Sequence, residues 1–391
     1  MELKIGCSKE KDSFKAGEEA AEKTGGDGKL AYVFSSTKHD LKKILEGVNS
    51  KLSEGTPVIG CSSSVEISDQ GPSTGSIVVA LVKGDVNVGI GKSENASKNS
   101  YEAGKKAIKE AAENLESFEV SENSIEVPEK SLETTMINIF ADPLECTGVD
   151  ILEGVNNMIP DGMKVAGEFA ADDLAFEDTY VFFGDEVLQG TVVTAILETK
   201  VPVEVSARHG FEKTPQEYTV TDAEGVDVFK LDERPPKEVY SDLFGEKMSE
   251  DPGFLLMTPF GIDVGGDEKE IRVTLGVGDD GSYHCGATVP ENIEVSIMKG
   301  EKDKLLDAAE LSAKIAKENL DSKPSSAIIF SCVGRHAIYD DMELTAKEVE
   351  RIKETLGVEQ VAGVYGFGQI ATTTKKARFN EETVVLQVFG R

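Results

Sequence analysis

The stretch SSAIIFSCVGRHAIYDD (325–341), followed by VEQVAGVYGFGQIA (358–371) and ETVVLQVF (382–389), decides the fold. Ala327–Phe330 is a short apolar run ending in a Ser-Cys-Val-Gly-Arg turn, the pattern of a buried strand that delivers polar groups at its end. Between Thr345 and Thr355 the apolar Val349 and Ile352 recur, and Leu356 follows, at the spacing of a surface helix. Gln360–Tyr365 reads as a second strand, broken at Gly366 and Gly368, and Thr383–Phe389 as a third after a basic loop. The unit is strand, helix, strand, strand.

Outward from this stretch the same plan recurs twice. LAYVFSS (30–36), a helix through Leu41, Ile44, Leu45 and Val48, PVIGCSSSVEI (57–67) and SIVVALV (76–82) form one copy. TMINIFAD (135–142), ILEGVNNMI (151–159), MKVAGEFAADDL (163–174) and TVVTAIL (191–197) form another. The middle strands align so that Gly60, Gly167 and Gly363 each stand six residues before Glu66, Asp173 and Gln369. The preceding pieces KIGCSKEKDSFKAGEEA (4–20), GIGKSENASKNSYEAGKKA (89–107) and, more loosely, EVSIMKGEKDKLLDAAELSA (294–313) repeat as well. The expected fold is α/β of a mixed, α+β-like kind: repeated strand–helix–strand–strand units forming mixed sheets covered by helices. The expected division is an N-terminal half, 1–200, holding two repeats of about 1–92 and 93–200. A linker region, 201–250, carries a hairpin around Asp222–Gly225 and a short helix opened by Pro235-Pro236. A C-terminal half, 251–391, follows.

A formal charge of −31 repels phosphate backbones and anionic membrane surfaces, so nucleic acid and membrane are excluded as partners. It suits an acidic, strongly hydrated surface adapted to a salty cytoplasm. Five cysteines with no CxxC pair show neither a zinc spacing nor a disulfide framework. With neither a leader nor a run of about twenty apolar residues, the expectation is a cytoplasmic protein.

In α/β folds ligands gather where strands end in small polar loops. Here those places are Ser35-Ser36, Cys61 and Ser62 through Ser64, Glu66, Asp142, Glu168, Asp172-Asp173, Ser331–Arg335 and Tyr365–Gln369. Cys332, with Arg335 three residues and His336 four residues later, has the makings of an activated thiolate, though no triad partner follows from spacing. Arg272, in an apolar strand, requires a carboxylate or a ligand anion. The four histidines have no metal-ligand spacing, and His209 is a candidate only as a lone axial ligand. The expected pocket gathers Cys332, Arg335, Tyr365 and Gln369 with Arg272 around an anion-bearing small molecule, with no cofactor.

The ordered motifs IGCSSSVEI, VAGEFAADDL, TYVFFGDEVLQGTVV, RHGFEK, VTDAEG, FSCVGR, GVYGFGQI and FNEETVV resemble the FIST family, from about Lys29 to Phe389. The chain departs from the family pattern at Val65, where glycine is usual, and at Gln369, where glutamate is usual. The resemblance implies a FIST N-terminal and a FIST C-terminal domain and intracellular sensing of a small ligand, with amino acids proposed. It also implies a separate signalling partner, and haem for some members. The alternative from the residues alone is an enzyme with Cys332 as nucleophile on an anionic substrate. Neither reading specifies an oligomeric state.

Overall fold

The computed structural model describes residues 1–265 and 268–391. Three six-stranded sheets share one plan. In the first, Glu2–Ser8, Ile77–Lys83, Leu30–Ser36 and Val58–Ser63 lie in that order, followed by Val181–Phe183 and Glu186–Leu188. The second runs Asn87–Ser93, Val192–Glu198, Thr135–Ala141, Lys164–Phe169, Gly368–Thr372, Ala377–Asn380. The third runs Val203–Arg208, Val384–Gly390, Pro324–Cys332, Gln360–Gly366, Val65–Ser68, Gly71–Ser73. Each sheet has a parallel central pair flanked by antiparallel strands. The last two strands of every sheet come from a different unit. The chain leaving Val58–Ser63 crosses into the third sheet, that leaving Gln360–Gly366 into the second, and that leaving Lys164–Phe169 into the first. The exchange is cyclic and locks the three units together.

Each sheet is covered outside by two helices: Ser13–Thr24 with Leu41–Asn49, Ser100–Glu113 with Gly148–Asn156, and Lys302–Asn319 with Met342–Leu356. The caps are local. Asp12 accepts the Lys15 N–H at 3.0 Å, and Gly25 closes that helix in the left-handed conformation. Inside, the sheets share one core. Leu30–Ser36 and Thr135–Ala141 are buried along their whole length, because helices cover one face and the shared core the other. Phe34, Phe140 and Phe330 occupy equivalent positions of the three central strands and meet with ring centroids 5.8–6.3 Å apart. They mark a pseudo-threefold axis. A polar layer lies on it as well: the Tyr32 hydroxyl donates to Asn138 at 2.7 Å, and the Asn138 amide donates to Gln387 at 2.6 Å.

Gly60, Gly167 and Gly363 are equivalent, and the reason for glycine is close approach. A Cβ at any of them would lie 1.9–2.0 Å from the carbonyl oxygen of Val33, Ile139 or Ile329 on the parallel neighbour. Backbone cannot step aside as a side chain can. Gly363→Ala is therefore expected to cost more than about 3 kcal/mol, beyond ordinary overpacking, read as a lower denaturation midpoint; wild-type stability would contradict the packing described here.

The six-residue step holds in two units and fails in the third. Ile67, Ile370 and Phe182 face the three glycines across the sheets, so Glu66 and Gln369 correspond to Val181 and not to Asp173. An insertion around 171–179 separates the strands of the second unit. Two further expectations also change. The Ser331–Arg335 turn instead opens a helix, Val333–Tyr339, and the basic loop contains the strand Ala377–Asn380.

Residues 201–250 are shared between sheets. Val203–Arg208 is the edge of the third sheet, while Glu212–Glu224 and Asp227–Leu231 form the expected hairpin with Gly225 at φ +61°. The hairpin joins a separate seven-stranded sheet with Phe260–Ile262, Glu270–Arg272, Thr274–Val277, Tyr283–Cys285 and Glu294–Lys299. That sheet packs its own core around Tyr240, Phe260 and Tyr283, beneath the helix Pro236–Phe244. Among the described residues no helix is long and apolar enough to cross a membrane.

Candidate functional site

The residues expected in one pocket are dispersed: Cys332 and Tyr365 belong to the third sheet, Gln369 to the second and Arg272 to the seven-stranded one. In a strand successive side chains alternate. Ser331 and Tyr365 point to the helix side, where both hydroxyls donate to Glu348 Oε1, at 3.0 and 2.9 Å. Arg335 is there too, with no exposed surface. Its Nε donates to Glu348 Oε2 at 3.0 Å, Nη1 to the carbonyls of His209 and Glu382, and Nη2 to Glu348 and the Leu305 carbonyl. All five guanidinium N–H groups are spent within the fold, and Tyr339 completes the cluster through Glu348. Arg335 is a structural clamp. Expectation failed here because its partner, Glu348, lies on the buried face of a helix whose charged residues read as solvated.

Arg272 is likewise engaged. It donates to Thr288 O at 3.0 Å, Ile271 O at 2.9 Å and Glu270 Oε2 at 2.8 Å. The two arginines flank consecutive residues: Arg335 reaches the Glu382 carbonyl, and the charge of Arg272 acts on Glu381. They do not converge on a common hollow.

Other predicted residues take structural positions. Glu66, fully buried, accepts from Ser63 Oγ, Ser76 N and Ser76 Oγ at 2.6–2.9 Å. Ser62 Oγ accepts the Tyr180 N–H at 3.0 Å. Asp172 gathers the N–H groups of Phe176, Glu177 and Asp178 at 2.7–3.0 Å, organising the inserted loop. Asp173 accepts from Ser36 Oγ at 3.1 Å and pairs with Lys38 at 3.3 Å. Asp173, Leu174 and Phe176 all carry positive φ, a strained run held by these bonds. Phe176 then stacks on Phe367 with centroids 4.5 Å apart, so the loop lies against the strand break at Gly366–Gly368.

Beside this break, at the carboxyl ends of the parallel pairs, polar side chains are buried without complete hydrogen bonding. Glu168 and Gln369 face each other across the second sheet, and the Gln369 amide donates to Glu168 Oε1 at 2.8 Å. Cys332 lies in register with Gly366, where a Cβ would come within 2.6 Å of Glu168 Oε1. On its other side Cys332 Sγ is 3.9 Å from Glu382 Oε1. A Cβ on Gly334 would fall 1.7 Å from that same oxygen, so the carboxyl packs directly on the helix start. Glu168 Oε2, Gln369 Oε1 and Glu382 Oε2 are buried with no hydrogen-bond partner. Cys61 belongs to the same end of the axis and feels the charge of Glu168. Cys332, Gln369, Cys61 and Glu168 stand out in the sequence as polar strand ends, whereas Glu381-Glu382 do not. Two acids inside FNEETVV, between two short strands, were the available signal.

Family models match this chain over residues 29–234, as FIST N domain, and over 236–372, as FIST C domain. The chain belongs to the FIST family. FIST domains are sensory domains that bind small ligands. No curated protein matches the chain. Among solved structures, that of PurLQS from Thermotoga maritima aligns at 12% identity over 99% of this chain and 72% of that one, with a TM-score of 0.21. A likeness that weak carries no argument.

The electrostatics of this region follow from burial. Loss of hydration pushes the Glu168 carboxyl well above the usual carboxylate range, against the pull of donors from Gln369, Gly368 and Phe169. Burial raises Glu382 to about 8 and Glu381 to about 7, offset in part by Arg335 and Arg272 respectively. Glu66 rises to about 7 for the same first reason. Burial and the neighbouring Glu382 push the Cys332 thiol up, which is the opposite of an activated thiolate. His209 is held neutral, its pKa lowered to about 4 by burial and then by the charges of Arg335 and Arg208. Its Nδ1 accepts the Phe211 N–H, and its Nε2 lies 3.8 Å from Glu268. The adjoining cavity, between Ala207–His209 and Glu268–Glu270, measures about 30 Å³, room for water and not for a porphyrin. Haem does not fit there. Among the described residues no cluster of three or more His, Cys, Asp and Glu is placed to hold a metal ion.

Proposed function

We propose that this FIST protein is a cytoplasmic sensor that binds one small ligand at the axial end of its sheets, does not convert it, and signals through a separate partner. One observation carries the reading: Glu168 Oε2, Gln369 Oε1 and Glu382 Oε2, near the ends of the parallel strand pairs, are each buried without a hydrogen-bond partner. An unmade hydrogen bond at a buried polar atom costs about 1–3 kcal/mol, a cost that a bound ligand would remove. Family membership supports the sensory role. The absence of chemistry is supported by the thiols, since burial raises the pKa of Cys7, Cys61, Cys146, Cys285 and Cys332 alike. Five free thiols and a charge of −31 support a reducing interior and a protein partner over a nucleic acid.

Native mass spectrometry of the purified protein is expected to reveal a small-molecule adduct that is released on denaturation and reduced in Glu168→Gln. Turnover of that molecule, lost in Cys332→Ala, would transfer the protein to the enzymes. An adduct retained in both Glu168→Gln and Gln369→Leu would place binding elsewhere.

A further inference from the structure

We infer that the protein has a second binding site, a cleft at the junction of its two halves that takes a small organic carboxylate with an apolar body. The cleft has a volume of about 320 Å³, at the lower end of the range for small-molecule sites. It lies between the helix Gly148–Asn156 of the N-terminal half and the strand Ala377–Asn380 of the C-terminal half, with Glu270 of the seven-stranded sheet completing its lining. The walls are tied together. The Asn156 amide donates to the Ala377 carbonyl at 2.9 Å, the Ala377 N–H donates to Asn156 Oδ1 at 3.0 Å, and the Gly162 N–H donates to the Lys375 carbonyl at 2.8 Å. Val149, Leu152 and Phe379 supply an apolar lining, and Lys376 and Arg378 supply two cations. Arg378 is only partly engaged: Nη1 donates to Glu270 at 3.2 Å and Nη2 to the Val264 carbonyl at 2.9 Å, while Nε is buried without a partner. Glu270 is moreover shared with Arg272. Lys376 is exposed and, among the described residues, unpaired. A guanidinium N–H with no acceptor and an ammonium with no counterion suit the two oxygens of a carboxylate.

Other ligand groups fit less well. Glu153 and Glu270 also line the cleft and oppose a second negative charge, which disfavours a phosphate dianion. An amine would bring a further cation to Lys376 and Arg378. A neutral molecule would leave the ammonium without a counterion. The internal symmetry supplies an independent comparison. In the third unit the equivalent cleft, of about 550 Å³, lies between the helix Met342–Leu356 and the turn joining the imported strands Val65–Ser68 and Gly71–Ser73. Its charged lining is Asp69, Glu350, Glu354, Glu359 and Lys353. That lysine is engaged, donating to the Asp69 carbonyl at 3.0 Å and pairing with Glu359 at 3.7 Å. The exchange of strands therefore makes the cleft but does not require available cations in it. In a chain carrying a charge of −31, a purely architectural role does not account for Lys376 and Arg378.

The test uses the full-length protein with benzoate and hexanoate as carboxylate probes, inorganic phosphate as the dianion, hexylamine as the cation and benzamide as the neutral control, at matched ionic strength. Calorimetric affinity and saturation-transfer NMR are read together with the thermal midpoint. At least one carboxylate is expected to bind and raise the midpoint, more strongly than phosphate, hexylamine or benzamide. Lys376→Gln and Arg378→Gln are each expected to weaken it about tenfold or more, the loss of one charge-assisted contact. Arg378→Gln also removes the bonds to Glu270 and Val264, so Lys376→Gln, which removes no bond within the fold, separates recognition from folding. Absence of carboxylate binding at millimolar concentration overturns the inference. Equal binding of phosphate, hexylamine or benzamide does so as well, and so does unchanged affinity in Lys376→Gln. Affinity that falls in Glu168→Gln instead would assign the probe to the axial end and overturn it too. The sensor reading stands or falls separately, on the adduct.

Discussion

Arg335→Ala is expected to destabilise the protein by about 3–5 kcal/mol or more, the range for removing one partner of a buried ion pair. Glu348 has no exposed surface, and without Arg335 its carboxylate would keep only hydroxyl donors from Ser331, Tyr339 and Tyr365. The carbonyls of His209, Glu382 and Leu305 would lose their donor at the same time. These carbonyls lie in three separate parts of the chain, so the loss is felt across the third unit. Lysine is not a substitute, because an ammonium cannot reproduce the planar five-donor fork. The measurement is denaturant unfolding of Arg335→Ala, Glu348→Gln and the double variant. The second substitution should cost much less in the background of the first, since both remove one interaction. Additive effects, or an Arg335→Ala protein as stable as wild type, would show that the clamp is not what holds this unit.

Raising the pH from about 7 to about 8.5 is expected to lower the thermal midpoint of the ligand-free protein. The sign follows from linkage. Glu382, Glu381 and Glu66 have folded-state values of about 8, 7 and 7, against 4.5 for a free glutamate, and Glu168 is raised in the same direction. The folded state therefore holds more protons, and its extra stability is full below about 4.5 and lost as pH rises through these folded values. Each unit of displacement corresponds to about 1.4 kcal/mol, so the combined loss over the whole span above 4.5 is on the order of several kcal/mol; Glu381 and Glu66 lose most of their share below pH 7, and the fall between pH 7 and 8.5 comes chiefly from Glu382. His209 works in the opposite sense: its value falls to about 4, so its stabilising term is lost as pH drops from about 6.5. Above pH 7 that term is constant, which makes the upper window diagnostic. The groups facing Glu382 are Cys332, Arg335, Glu381 and Glu348, and those facing Glu168 are Gln369, Cys61 and Cys332. Glu382→Gln should flatten the fall and raise the midpoint at pH 8. A midpoint independent of pH between 7 and 8.5, or the same slope in Glu382→Gln, would contradict the placement of these acids.

Much of the architecture is legible in the sequence because it depends on local periodicity. Leu41, Ile44, Leu45 and Val48 specify a helix face without reference to any neighbour, and that face is buried. Asp222–Gly225 specifies a hairpin through the positive φ that glycine accepts, and the hairpin is present. Gly60, Gly167 and Gly363 mark one recurring position, which the structure explains by the approach of a parallel strand. The alignment of Asp173 with Glu66 and Gln369 failed because an insertion shifts the register without disturbing the apolar pattern on either side. Glu348 was open to reading, since it lies three residues after Thr345 and four before Ile352, on the buried stripe.

Local sequence pattern specifies the units: short apolar strands, amphipathic helices, their order and their recurrence. It also determined the polar strand ends as the region of interest, because polar side chains that terminate buried strands are placed there by chain geometry alone. Which of them meet is set by long-range packing. Tyr365 and Gln369 stand four residues apart, yet one joins Glu348 beneath the helices and the other pairs with Glu168 of a different unit. Arg335 was attractive as an anion-binding arm until three carbonyls and a carboxylate, from distant parts of the chain, took all its donors. Periodicity is a property of neighbours in sequence and survives translation into structure. Satisfaction of a buried charge is a property of the packed whole, fixed by the exchange of strands among three units, and no local pattern encodes it.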